Sequence, residues 1–188
     1  MQEVDIGLDI STSVVGVCVL EHKTNNLVDL FSIKMTSTKF KDFWDKALFF
    51  EAEIVKQIKP TWLIKRVFVE EAAKRFSPGF SSADTIITLA KMNAVACLAM
   101  LKVYKVKPTF VNVRTGRAQL GIKINTKDKT KSTKEKVFEQ VLALNPSFPW
   151  EQHIAKTGKS VGKLVYDKHN QDMADSWVVC RSGQTLNP

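Results

Sequence analysis

Residues 4–20 read "VDIGLDISTSVVGVCVL", two apolar, β-branched runs separated by a few Ser and Thr residues. No feature constrains the fold more. Runs of this composition predict strands, and the short Ser/Thr link predicts a tight turn. "LVDLFSIKM", residues 27–35, follows the turn-like "TNN" and predicts a third strand. Links this short favour an antiparallel meander.

The pattern then changes period. Phe40, Phe43, Trp44, Ala47, Leu48, Ile54, Val55 and Ile58 recur at helical spacing, and Pro60 ends that helix. "VFVEE", residues 67–71, predicts a short strand ending in acids. "KRFSPGFSS" predicts a loop turning at Pro78-Gly79. Ser82 can cap a long helix to about residue 103, and "TFVNV", residues 109–113, predicts another strand. After a Gly- and Lys-rich stretch come a helix over 132–144, an irregular or hairpin segment over 145–170, and a last helix over 171–181. The order β-β-β-α-β-α-β-α-α predicts a three-layer α/β domain, with a mixed five-stranded sheet and helices on both faces. The 188 residues suffice for one domain with a sizeable core, so 1–188 is expected to be a single unit.

Composition narrows the function classes. With 44% apolar and 25% charged residues, the chain reads as an ordinary globular protein. No apolar run is expected to cross a bilayer, and no basic-then-apolar leader opens the chain, so no membrane partner is expected. Cys18, Cys97 and Cys180 lie far apart in apolar surroundings, which predicts free core thiols in a reducing, intracellular compartment. The net charge of +9 is concentrated: residues 102–136 hold eleven Lys or Arg against Asp128 and Glu135, and the remainder is neutral. A localised basic face predicts a polyanionic partner, nucleic acid foremost.

Four acids stand out against this background. Asp9 closes "IGLD" and Glu70 closes "VFVE", both at the apolar ends of strands, where an unpaired carboxylate is costly. Asp172 and Asp175, in "HNQDMADSWVV", share one face of the first turn of the last helix. Acids in a first turn are routine by themselves, since the helix dipole favours them. Taken with Asp9 and Glu70 they predict a cluster of four carboxylates. Hard divalent cations prefer such oxygen ligands, and a pair of them supports phosphodiester cleavage.

"IGLDISTSVVGVCVL", "VFVEEAAKRF" and "DMADSWVV", in this order and at these separations, resemble the RuvC family of Holliday junction resolvases, within the ribonuclease H-like superfamily. The resemblance runs from about residue 4 to residue 181. It implies a metal-dependent endonuclease that resolves four-way DNA junctions as a homodimer. By resemblance Asp9, Glu70, Asp172 and Asp175 hold two Mg²⁺ or Mn²⁺ ions, with Glu71 an alternative register for Glu70. The family's basic residues after the fifth strand match Arg117 and Lys134, with Lys123 and Lys131 in the same stretch. Lys74, Arg75, Phe76 and Phe80 fall in the loop where the family places an aromatic wedge, although these aromatics could equally fold back on the core. Residues 145–170 are longer than the family's usual connection, and "HIAKTGKSVGKLVY" has no assigned role. "TGKS" lacks the glycine of a phosphate loop, with His153 in its place. His169 could sit beside the acids or simply open the helix.

Two further readings stay open. One is a ribonuclease H-like nuclease for broader branched, flap or RNA·DNA hybrid substrates. The other is a non-catalytic, structure-specific DNA-binding protein on the same fold. A sugar kinase or actin-like ATPase is disfavoured by length. The 82–103 helix is apolar nearly all round, with Asp84, Lys91 and Lys102 its only charges, so a second surface is expected to cover it, most simply that of a twofold partner.

Overall fold

The computed structural model describes residues 1–36, 40–71, 83–125 and 127–186. The first three strands form the expected meander: β1 (Gln2–Ile10), β2 (Val14–Glu21) and β3 (Leu27–Lys34), each antiparallel to the next. Ser11 makes the first turn tight. Its hydroxyl donates to the Val14 carbonyl at 2.7 Å and accepts the Val14 N–H at 3.0 Å. Helix α1 (Phe43–Gln57) begins at Asp42, whose carboxylate accepts the N–H groups of Trp44 and Asp45.

The chain then re-enters the sheet in parallel. β4 (Trp62–Glu70) runs beside β1, α2 (Ala83–Tyr104) crosses over, and β5 (Pro108–Val111) runs beside β4. The sheet order is β3-β2-β1-β4-β5, antiparallel on one side of β1 and parallel on the other. Then follow α3 (Val113–Gln119), α4 (Thr133–Leu144), the hairpin β6 (Gln152–Ile154) and β7 (Leu164–Tyr166), and α5 (Asn170–Leu186). This is the expected mixed five-stranded, three-layer α/β architecture.

Strand alternation divides the core. Val4, Ile6, Leu8 and Ile10 face α1 and α2, against Phe50, Ile54, Met92 and Met100. Cys18, Leu20, Phe68 and Val111 face the other helices, against Val137, Val141, Met173 and Val178. The opposite parity of β1, Asp5–Gly7–Asp9, therefore points at α5. Helix α5 lies directly on the sheet because Gly16 permits it: a Cβ there would collide with the Asp172 carbonyl oxygen. That contact fixes where the first turn of α5 meets β2.

Three expectations need correction. The strand predicted over 109–113 stops at Val111, because the Asn112 side chain accepts the Thr115 N–H and starts α3. The glycine at 116 made α3 read as loop, but a Cβ there would strike Ser182 of α5, so the residue marks close helix packing. By length and composition α2 could span a bilayer, contrary to the expectation that no run could. In this fold it packs on α1 and the sheet instead, burying Met92, Ala96, Ala99 and Met100.

Candidate active site

The acids converge because of register. Gly7 pairs with Phe68 and Leu8 with Val69, so the next rung carries Asp9 beside Glu70. Phe68 packs on the α5 side, and Glu70 shares its parity. Both carboxylates thus leave the ends of adjacent parallel strands toward the first turns of α5, which present Asp172 and Asp175. Glu70 contacts Asp9 closely enough for a carboxyl–carboxyl hydrogen bond. Glu71 lies one residue on, its N–H bonded to the Val111 carbonyl and its carboxylate near Asn112.

A cation already stands among these acids. Lys134, in the first turn of α4, places Nζ 2.6 Å from Asp172 Oδ1 and 3.6 Å from both Asp9 Oδ2 and Asp175 Oδ2. Its position is set by the capping box at the start of α4, where Ser132 and Glu135 each bond the other's backbone. A positive charge in a first turn opposes the helix dipole, and three carboxylates offset that cost. Arg117, on α3, donates from Nη2 to Asp175 Oδ1 at 2.9 Å. It also lines an open cleft of about 580 Å³ with Arg114, Ala118, Ile122, Ile124 and Thr133.

The electrostatics show how crowded the acids are. Asp9 is only 6% exposed, and its carboxyl is pushed up to about 8. Burial is the main cause, with Glu70 and Asp172 adding to it and Lys134 opposing. Asp175 is pushed up to about 6, first by burial and then by the charge of Asp9, against Lys134 and Arg117. For Lys134 burial acts downward, but the charges of Asp9, Asp175 and Asp172 outweigh it and hold the ammonium above the ordinary lysine range.

The donor set is all hard oxygen, which suits a divalent cation of the Mg²⁺ or Mn²⁺ kind. The cluster already accommodates one positive charge, so the residues fit such a group. Among the described residues no three acids or histidines meet closely enough to ligate one ion as they stand. Lys134 takes the middle position instead.

The other expected residues sort differently. Lys123 is exposed, and Lys131 pairs with Glu139 rather than with the acids. His169 Nδ1 lies 3.8 Å from Asp172 Oδ2, so it does sit beside the cluster. Lys74, Arg75, Phe76 and Phe80 lie outside the described residues. Sequence reasoning did not single out Arg114, although its spacing from Arg117 puts both on one helix face once α3 is recognised. It also passed over Asp5, a second buried acid on the same face of β1. Asp5 accepts from Arg66 Nε at 3.1 Å and Nη2 at 2.8 Å and from Gln184 Nε2 at 2.9 Å, with His22 Nδ1 at 2.8 Å.

No protein-family model and no curated protein sequence matches the chain. Solved structures do. The chain is similar to the structure described as T. thermophilus RuvC in complex with Holliday junction substrate, with a TM-score of 0.60 at 12% identity. That match covers 98% of this chain and 96% of the other. A second Thermus thermophilus RuvC structure matches with a TM-score of 0.59 at 12% identity, covering 97% and 96%. The fold is therefore RuvC-like, of the ribonuclease H-like type.

Proposed function

We propose that the protein is a divalent-metal-dependent endonuclease that resolves four-way DNA junctions. The observation that carries this reading is the convergence of Asp9, Asp172 and Asp175 around one cation, with Glu70 against Asp9, at the ends of β1 and β4. These four would hold the metal ions, with Glu70 rather than Glu71 completing the set because it reaches Asp9. Ions held there would supply the chemistry of phosphodiester cleavage, activation of a water and stabilisation of the leaving oxygen. Arg117 and Lys134 neutralise the acids and face the approaching phosphate, while Arg114 extends the basic wall of the cleft. Lys123 and Lys131 contact the backbone further out, and Lys74, Arg75, Phe76 and Phe80 engage the junction centre. The likeness to a resolvase bound to its junction supports branched DNA over linear duplex.

A homodimer would supply the two active sites that paired cuts need. Helix α2 exposes Ile87, Leu98 and Leu101, and the adjoining α1 exposes Trp44, Leu48 and Val55. These apolar stripes are the surface we assign to the twofold partner. The three free cysteines fit a reducing compartment.

One observation favours the non-catalytic reading: Lys134 already satisfies three of the acids. A Mn²⁺ titration together with cutting assays on junction, flap, RNA·DNA hybrid and linear substrates decides between the two. The nuclease reading expects junction cleavage that disappears in Asp172→Asn while junction binding survives, because binding rests on phosphate contacts elsewhere. Wild-type cutting rates in Asp172→Asn would refute the assignment of the acids.

A further inference from the structure

The segment that the resemblance left without a role, residues 145–170, forms a hairpin arm outside the main sheet. β6 and β7 pair antiparallel, Gln152 with Tyr166, His153 with Val165 and Ile154 with Leu164. The base of the arm is anchored beside the acids. Tyr166 meets Phe138 of α4 edge-on at 5.3 Å, and Phe138 meets Trp150 at 5.2 Å. Asn170, fully buried at the start of α5, donates to the Glu151 carbonyl at 2.8 Å and accepts the Glu151 N–H at 3.2 Å. Asp172 follows two residues later, so the arm and the acid cluster share one rigid mount. The tip is tied by its own backbone: Ala155 N–H to the Lys163 carbonyl and Gly162 N–H to the Ala155 carbonyl, both at 2.9 Å.

What the arm displays is unusual for a solvated turn. Ile154 and Leu164, a cross-strand pair, are 62% and 65% exposed, and Val161 at the tip is exposed as well. Residues 152–166 contain Lys156, Lys159 and Lys163 and no acid. Lys156 and Lys163 form no ion pair among the described residues. A surface that is both apolar and uncompensated in charge asks for a partner that supplies phosphates along a nonpolar surface. A two-stranded ribbon fits a DNA groove, cations meet flanking phosphates, and aliphatic side chains can press on sugars or base steps.

We propose that the β6–β7 hairpin is a DNA-gripping arm, which lays Ile154, Leu164 and Val161 into a groove of the duplex leaving the acid cluster, with Lys156 and Lys163 on its phosphates. The inference rests on the reading of this protein as a DNA nuclease and adds a contact surface to it. The arm contacts backbone and groove, so it adds affinity and a fixed approach angle rather than sequence preference.

Binding measured without divalent cation separates the arm from the chemistry. The double variant Lys156→Gln/Lys163→Gln, titrated against four-way and linear DNA over a KCl series, should show a log K versus log[salt] slope shallower by roughly 2. A second variant replaces residues 155–163 by an Asn-Gly turn, which keeps the strand pairing. It should shorten the hydroxyl-radical footprint along one duplex arm. Both variants should melt within a few degrees of the wild type, because neither touches the two cores. Wild-type slope and footprint in both variants overturn the arm and leave the nuclease reading standing. Wild-type protein that binds no DNA of any shape overturns both.

Discussion

Without divalent cation the protein should lose stability as pH rises from about 4 to about 8, and Asp9 and Asp175 should carry the loss. The ordinary carboxyl value is 3.8, and folding raises Asp175 to about 6 and Asp9 to about 8. A raised value means that the folded state keeps a proton the unfolded chain has already released. The stabilisation is complete below 3.8 and is lost as pH rises through about 6 for Asp175 and about 8 for Asp9. Each proton contributes a slope of about 1.4 kcal/mol per pH unit, so Asp175 alone accounts for ~3 kcal/mol. Asp9 spans a wider window, but the two acids raise each other and titrate as a pair, so their contributions do not add. Both are almost wholly buried, so solvent screening reduces the effect little.

Urea unfolding in EDTA at pH 4, 5, 6, 7 and 8, on wild type and on each Asn variant, measures this. Asp175→Asn should flatten the profile between about pH 4 and 6, and Asp9→Asn should flatten it across the wider window up to about pH 8. At pH 8 Asp9→Asn should be the more stable protein. Millimolar Mg²⁺ should flatten the wild-type profile, because bound ions replace the protons. Parallel profiles for wild type and both variants would refute the crowding argument.

The remaining predictions concern the cations at the cluster, the exposed face of α2 and the contact of α5 with β2. Arg117→Gln/Lys134→Gln should weaken binding to all DNA and reduce the salt slope by roughly 1 for each lost phosphate contact, which filter binding over a salt series measures. Leu98→Glu/Leu101→Glu should give a monomer in sedimentation at micromolar concentration with an unchanged melting temperature. Charges placed at Met92 or Ala96 would not test the dimer, since both are buried against the sheet and would unfold the chain. Gly16→Ala should push α5 off β2 and cost on the order of 1–3 kcal/mol in urea unfolding, with a loss of cutting activity that a surface Gly→Ala change would not show.

The legible part of this fold was the part written in periodicity. The β-branched runs of β1 and β2 and the helical spacing of α1 are one-dimensional signals, and all three elements lie where the pattern places them. Strand β4 looks shorter in sequence than it is because Lys65 and Arg66 break its apolar run, although Arg66 folds back to pair with Asp5. Helix α3 is hard to see in sequence because a glycine in seven residues reads as a turn, and the reason for that glycine, the Ser182 side chain of α5, lies 66 residues downstream. Lys131 and Lys134 stand three residues apart in one basic stretch, and Lys134 is the one that matches the family's basic position. A local capping box and the geometry of one turn send Lys134 to the acids and leave Lys131 with Glu139.

The contrast between Asp5 and Asp9 carries the functional reading furthest. They lie on one strand and on one face, four residues apart, and both are buried. Asp5 is surrounded by donors that belong to the fold: a guanidinium, an amide and an imidazole, all within 3.1 Å. Its position near the far end of α5 explains it as a latch that ties the helix to the sheet. Asp9 has no such set. Its neighbours are Glu70 and Asp172, which repel it, and one half-exposed lysine at 3.6 Å. A strand that can satisfy one buried acid completely leaves another crowded by acids at the end where two parallel strands and a helix start converge. Folding stability does not account for that choice, since several apolar residues of similar volume would stabilise the position better. A requirement for concentrated negative charge does, and the basic walls of α3 and α4 place that charge where a phosphate backbone can approach it.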